Sequence, residues 1–206
     1  MGNFICLEGI DGSGKSTQII ALENLFKNKG FEVLKIREPG GTEISENVRE
    51  ILLNPAHKNK MNNITELLLY NAARAQLLHE VIKPALEKGV VVLADRFAYS
   101  TLAYQGYGRG LNIDMIKNLL NITCGDCFPN KTFILDLPVS LSRERQARDG
   151  ARSGQDRIEL EKNEFFERVA EGYRTIAKEN PKNCILLNAT IAQDDIFKLL
   201  VSHLDG

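Results

Sequence analysis

The sequence predicts an α/β protein with a five-stranded parallel sheet and helices on both faces, and three observations point to it. Short apolar runs recur at residues 4–8, 32–37, 90–95, 132–137 and 184–187. Several are nearly continuous, as parallel strands covered on both faces are. Segments of helical period separate them, at about residues 15–29, 44–53, 64–88, 114–123, 141–148, 160–179 and 192–204. Strand and helix in alternation wind into one sheet with right-handed crossovers. Lastly, a glycine-rich turn joins the first run to the first helical segment, and open sheets of this kind bind ligands at the carboxyl ends of their strands.

Whole-chain quantities set the bounds. At 206 residues the chain suits one sizeable domain rather than two. A hydrophobic share of 43% and a charged share of 26% are ordinary for a globular protein. The net charge of -1 supplies no global basic field for nucleic acid. No apolar run approaches the ~20 residues of a membrane span. The chain enters a strand at once, so neither a membrane partner nor a signal peptide is expected. Cys6 and Cys184 fall inside expected strands, where free thiols pack as small hydrophobes. A reducing cytoplasm is the expected compartment.

The turn after the first strand reads Gly9-Ile10-Asp11-Gly12-Ser13-Gly14-Lys15-Ser16-Thr17 and fits G-x-x-x-x-G-K-[ST] without mismatch. Its glycines permit backbone angles that other residues resist. The N–H groups can then turn inward as an anion cradle at the positive end of a helix. Lys15 is placed to reach the β- and γ-phosphates of a nucleotide, and the Ser16 hydroxyl to ligate Mg2+. A chance lysine in a glycine turn would not explain the strand before it and the helix after it.

Residues 37–42, R-E-P-G-G-T, form a rigid turn at the end of the second strand. Arg37 there either faces solvent or, with the turn backbone, meets a second ligand. Tyr70 and Arg74 stand four residues apart on the 64–88 helix and share a face. An aromatic plane beside a forked donor suits a nucleobase, although a core tyrosine with a surface arginine is the commoner outcome for such a pair. Pro84 should kink or end that helix. The third strand delivers Asp95 to its carboxyl end, where a nucleotide enzyme needs a carboxylate near its metal, and Arg96 follows for phosphate. Ser100, Thr101, Tyr104 and Gln105 offer hydroxyls, a ring and an amide for sugar or base recognition. Residues 107–110 are glycine-rich and look mobile.

Cys124 and Cys127 have C-x-x-C spacing, but no second pair or histidine completes a metal set, and they follow a helix; a structural or incidental role is expected. The segment that follows the fourth strand is dense in arginine, with Arg143, Arg145, Arg148, Arg152 and Arg157. It is either a solvated face or a mobile lid whose forked donors stabilise the charge of phosphoryl transfer. Beside an intact phosphate loop, the lid is favoured.

Four segments together resemble the bacterial thymidylate kinases: the phosphate loop with Asp11, residues 37–42, Asp95-Arg96 with residues 100–106, and residues 156–159, D-R-I-E. The resemblance runs along nearly the full length. It implies a three-layer P-loop kinase fold, residues 1–206 as a single domain with a lid at about 142–159, and homodimers. The implied activity is ATP:dTMP phosphotransfer with Mg2+, giving dTDP and ADP by direct in-line transfer. Residue roles follow from the same likeness. The loop residues Gly9 through Thr17 hold ATP, with Ser16 and Asp95 at the metal. Tyr70 stacks on thymine, Arg74 bonds the base edge, and Thr101 lies at the base. Tyr104 crowds the sugar 2′ position and so favours deoxyribose. Asp11 lies near the 3′-hydroxyl, Arg96 binds the acceptor phosphate, and Glu38, Pro39, Ser100 and Gln105 complete the dTMP wall. Beside Lys15 and Arg96, the family places a catalytic arginine either in the loop or in the lid. This loop has none, so the lid is expected to supply it, Arg152 first and Arg148 second. The rival readings are another nucleoside monophosphate or deoxynucleoside kinase and a nucleotide-dependent switch. For a guanine-binding switch, Asn130-Lys131-Thr132-Phe133 lacks the aspartate of N-K-x-D.

Overall fold

Five strands form one parallel sheet in the order β2-β3-β1-β4-β5. They are β1 (Phe4–Glu8), β2 (Val33–Arg37), β3 (Val91–Asp95), β4 (Lys131–Asp136) and β5 (Cys184–Asn188). The computed structural model describes residues 3–148 and 156–204. Each strand lies within a residue or so of its expected bounds. β1, central in the sheet, is buried along its whole length, whereas the edge strand β2 exposes Lys35 and Arg37, charges that discourage further strand pairing. Leu7 pairs with Asp95 across β1 and β3, and Arg37 pairs with the same Asp95 across β2 and β3. Three strands therefore end level at the carboxyl edge.

The helices pack around this sheet. They are α1 (Lys15–Asn28), α2 (Glu43–Leu53), α3 (Asn63–Leu77), α4 (Lys83–Glu87), α5 (Ala98–Thr101), α6 (Ile113–Cys124), α7 (Val139–Arg148), α8 (Asn163–Glu179) and α9 (Gln193–Ser202). Side-chain caps start several of them. Thr42 accepts from the Ser45 N–H at the head of α2, and Asn112 accepts from the Met115 N–H at the head of α6, each satisfying an otherwise orphaned donor. α1 differs: its cap is Gly14 at φ 95, with no side-chain cap. Its first N–H groups are thus left for an anion.

Two stretches depart from the sequence reading. The helix expected over residues 64–88 is broken into α3, a wider π turn over Leu78–Ile82, and α4. Pro84 has no N–H for the carbonyl four residues back. The chain widens one turn earlier, where the Lys83 N–H bonds the Leu78 carbonyl, and Pro84 then sits at the start of α4. The second stretch follows β3. Residues 98–108 form α5 and a π segment, Leu102–Gly108, and residues 107 and 108 are not loosely held. A Cβ on Gly108 would lie 2.7 Å from the Phe165 ring, and one on Gly172 would lie 2.6 Å from the Tyr107 ring. The glycines allow the π segment to lie hard against α8. The last long helix begins at Asn163, because residues 157–160 form a turn.

Gly172→Ala tests this contact. Helix propensity alone would make alanine more stable by ~1 kcal/mol. The added methyl would also meet the Tyr107 Cβ at 2.8 Å, so the ring cannot simply swing away, and such overpacking costs about 1–3 kcal/mol. Urea denaturation should show a net loss of up to about 2 kcal/mol at unchanged slope. A stabilised variant would show that the two elements are free to separate.

Candidate active site

The loop after β1 is held from below and from behind. Gly9, at φ 133, passes so close to β4 that a Cβ would lie 2.6 Å from the Leu135 carbonyl oxygen. From α7, the Ser142 hydroxyl donates to the Asp11 carbonyl at 2.6 Å, and Arg145 donates to the Gly12 and Ala189 carbonyls, each at 3.0 Å. Lys15 folds back along the loop, and its Nζ donates to the Gly9 carbonyl at 3.0 Å and the Ile10 carbonyl at 3.2 Å. Burial lowers the Lys15 pKa from its ordinary value, and neighbouring Arg96 adds to that. A cavity of about 560 Å³ opens on this loop and is lined by Asp11, Gly12, Gly14, Lys15, Ser16 and Thr17. Ile10 and Ser13 are instead buried beneath it. Asp95, Arg145, Arg148 and Gln193 also line it, and the Ser16 hydroxyl stands 3.4 Å from Asp95 Oδ2.

A second cavity, of about 220 Å³, adjoins the first. It gathers Asp11, Glu38, Pro39, Tyr70, Arg74, Arg96, Ser100, Thr101, Tyr104 and Gln105 from four separate segments. The two cavities share Asp11, Glu38, Arg49 and Arg96. Arg96 occupies the left-handed region at φ 71, a strain that an arginine tolerates where its surroundings over-determine it. Its guanidinium donates to the Gly9 carbonyl at 2.8 Å, to Asp11 Oδ1 at 2.7 Å and to the Tyr173 hydroxyl at 3.3 Å. It also lies 5.1 Å from the centre of the Tyr104 ring. Burial works to raise the Asp11 carboxyl pKa, but Arg96 and Lys15 outweigh it and hold the group below its ordinary value.

A family model described as thymidylate kinase matches residues 7–199. The thymidylate kinase of Kosmotoga olearia is 44% identical over 200 residues, covering 97% of this chain and 94% of that protein. That of Halothermothrix orenii is 45% identical over 205 residues, covering 100% and 97%. The crystal structure of thymidylate kinase from Ehrlichia chaffeensis matches with a TM-score of 0.78 at 32% identity, over 98% of each chain. The chain belongs to the thymidylate kinase family. It is an ATP-dependent phosphotransferase that converts dTMP to dTDP.

For a thymidylate kinase, the surroundings of Arg74 differ from both sequence readings. Arg74 is neither a surface residue nor a wholly free donor. It is 2% exposed and bonds Glu38 through Nε at 2.8 Å and Nη2 at 2.6 Å, Thr101 through Nη1 at 2.8 Å, and the Phe97 carbonyl at 3.0 Å. Its second Nη1 hydrogen has no acceptor among the described residues. Burial raises the Glu38 pKa, and Arg74 opposes it. Arg37, whose two readings stood open, remains exposed and pairs with Glu46 at 3.0 Å, yet it lines the loop cavity too. Of the two arginines expected to serve as the catalytic one, Arg148, at the end of α7, lines the loop cavity and pairs with Glu144; Arg152 lies outside the described residues. Cys124 and Cys127 are free thiols and line neither cavity. Burial raises both their pKa values, keeping them protonated.

Sequence reasoning missed several residues. Arg49 lines both cavities and donates to the Pro39 carbonyl at 2.7 Å. Glu66, 1% exposed, accepts from Gln105 at 2.7 Å, Arg157 at 2.6 Å and Arg109 at 3.1 Å. Glu66, Tyr70 and Arg74 follow at four-residue steps on one face of α3, a periodicity that could have found it. Arg157 also donates to the Leu52 carbonyl at 2.6 Å. It thereby anchors Asp156, Ile158 and Glu159, which line the second cavity.

Burial works to raise the Glu66 pKa, but Arg109, Gln105 and Arg157 outweigh it, and the net shift is downward. A depressed folded pKa contributes stability above the unfolded value of about 4.3, and that contribution is lost as pH falls through the lower folded value. Glu66→Gln should cost about 3 kcal/mol at pH 7. Denaturation curves from pH 7 to pH 3 should show the gap to wild type narrowing below pH ~4.3. A gap independent of pH would mean that the charge of Glu66 contributes nothing.

Proposed function

We propose that the loop cavity holds the ATP phosphates and the smaller cavity holds dTMP, with the two substrates meeting at Arg96. The observation that carries this is the shared wall: Asp11 and Arg96, fixed to each other, border both cavities. A monophosphate on one side and a triphosphate on the other would bring their reacting groups to the same guanidinium. The acceptor phosphate has a second pKa near 6, so at neutral pH it is largely the dianion and needs no general base. Lys15 exchanges its loop carbonyls for the donor phosphates, while Arg96 holds the acceptor. The arginine that meets the transferring group comes from the 142–159 segment, as Arg152 or Arg148, because the loop contains none.

Base recognition falls to Tyr70 as the stacking plane and to the remaining Nη1 donor of Arg74, whose rigidity comes from Glu38 and Thr101. Thymine presents an acceptor at O4 where cytosine presents a donor. Tyr104 crowds the sugar, Asp11 meets its 3′-hydroxyl, and Pro39, Ser100 and Gln105 form the rest of the wall. Ser16 and Asp95 suit Mg2+: one hydroxyl and one carboxylate at the edge of the loop cavity leave most positions to phosphate and water, as this cation prefers. No cluster of three acidic, histidine or cysteine ligands occurs among the described residues. When bound, Mg2+ neutralises charge on the donor phosphates.

One continuous core supports a single-domain reading of residues 1–206. Four free thiols suit a reducing cytoplasm, and no described helix is long and apolar enough to cross a membrane. A homodimer is supported by α2, α3 and α6, which pack side by side. They leave exposed Ile44 and Ile51, Ile64 and Leu68, and Met115 and Ile122. In sedimentation equilibrium, Leu68→Glu should shift the protein towards monomer; a wild-type monomer would end the dimer reading.

ADP release should depend on the acceptor, fastest with dTMP and far slower with dCMP, dGMP, AMP and UMP. Lys15→Ala, with its fold intact by circular dichroism, should lose at least two decades of turnover. Arg152→Ala or Arg148→Ala should lower kcat far more than it weakens dTMP binding. Acceptor-independent ATP hydrolysis at the same rate would instead indicate a nucleotide switch.

A further inference from the structure

Glu8, the last residue of β1, is 0% exposed and forms no ion pair among the described residues. Its carboxylate is satisfied by hydrogen-bond donors alone. Oε1 accepts from the Phe97 N–H at 2.8 Å and the Ser100 N–H at 3.1 Å. Oε2 accepts from the Ser100 hydroxyl at 2.5 Å and the Tyr173 hydroxyl at 2.9 Å. The two hydroxyl oxygens also stand 3.0 Å apart; with each hydroxyl's one proton given to the carboxylate, neither donates to the other. The lone pairs of the Tyr173 oxygen are therefore turned outward, and Arg96 Nη1 donates to that oxygen at 3.3 Å. Among the described residues, the buried carboxyl group of Glu8 thus reaches a cation, by hydrogen bonds, through a phenol whose direction it sets.

We propose that Tyr173 is a positioning residue for Arg96: the hydroxyl, oriented by Glu8, fixes the guanidinium where the acceptor phosphate docks. The inference rests on the reading that Arg96 binds that phosphate. Arg96 is the residue that needs such a device. Its backbone is in the left-handed region, its side chain borders both cavities, and its other hydrogen-bond acceptors, Gly9 and Asp11, belong to the phosphate loop. Tyr173 belongs to α8 and so gives Arg96 a reference point independent of that loop. A hydrogen bond to a charged group, lost without loss of packing, corresponds to about tenfold in kcat/KM.

The test is a double-mutant cycle of Tyr173→Phe with Arg96→Lys. Phenylalanine keeps the ring against Tyr104, 6.3 Å away between centres, so the fold should persist by circular dichroism, although the loss of one donor to Glu8 should lower the urea midpoint. Tyr173→Phe should lower kcat/KM for dTMP about tenfold with the ATP KM unchanged, and should cost less than twofold when Arg96 is already lysine. A tenfold loss that persists in the Arg96→Lys background, or a matching rise in the ATP KM, assigns Tyr173 to packing and overturns the proposal. So does an unaffected dTMP kcat/KM in Tyr173→Phe. If Arg96→Lys alone leaves dTMP kinetics intact, the acceptor role of Arg96 fails, and the inference with it.

Discussion

The site depends on one constraint, the register of three neighbouring parallel strands. The ladder runs one bond past the strand ends, with the Arg96 N–H on the Leu7 carbonyl at 2.9 Å and the Glu38 N–H on the Asp95 carbonyl at 3.1 Å. Because the strands end level, Glu8, Glu38 and Arg96 all emerge at one edge. A slip of one residue would turn each side chain to the opposite face of the sheet, placing the Asp95 carboxylate where Ala94 is buried. The apolar core opposes that slip, so the packing of residues far from the chemistry sets the positions of those that perform it.

On that edge the chain buries charge in pairs and clusters. Arg74 with Glu38 and Arg157 with Glu66 are each under a tenth exposed. Buried ion pairs contribute little net stability, because desolvation offsets attraction, whereas removal of one partner is expensive. Their effect here is geometric. Arg74 ties α3 to the turn after β2 and to the residues after β3, and Arg157 ties the far end of the arginine-rich segment to α2 and α3. The walls of the smaller cavity are held by interactions that tolerate little displacement.

Much of this was legible from residues alone. The five strands follow from apolar runs and the loop from its glycines and its strand and helix flanks, while ten residues that the family likeness groups together line the smaller cavity, with Arg49, Leu53, Asp156, Ile158 and Glu159 beside them. What escaped reading was pairing across segments. The four-residue step to Tyr70 puts Glu66 on the site face of α3 but does not show that three side chains will surround its carboxylate, and nothing near Glu8 announces Tyr173, 165 residues away. Arg74 was legible as a donor, but its engagement with Glu38 depends on how α3 meets β2. The π segments escaped for another reason: glycine within residues 102–108 is equally compatible with a loose loop, and only Phe165, Val169 and Tyr107 show that it marks close packing.

The resting place of Lys15 bears on turnover itself. Two of the three donors of its ammonium group already face the Gly9 and Ile10 carbonyls, so on the proposed reading of the loop a phosphate meets the third donor directly and gains the other two only by exchange. The loop therefore carries an internal competitor for its own cation. Attraction to a nucleotide is reduced by that exchange, and the competitor is always at hand when a spent nucleotide leaves. A cradle built only for tight capture would retain its product; one whose lysine has a second home releases it more readily.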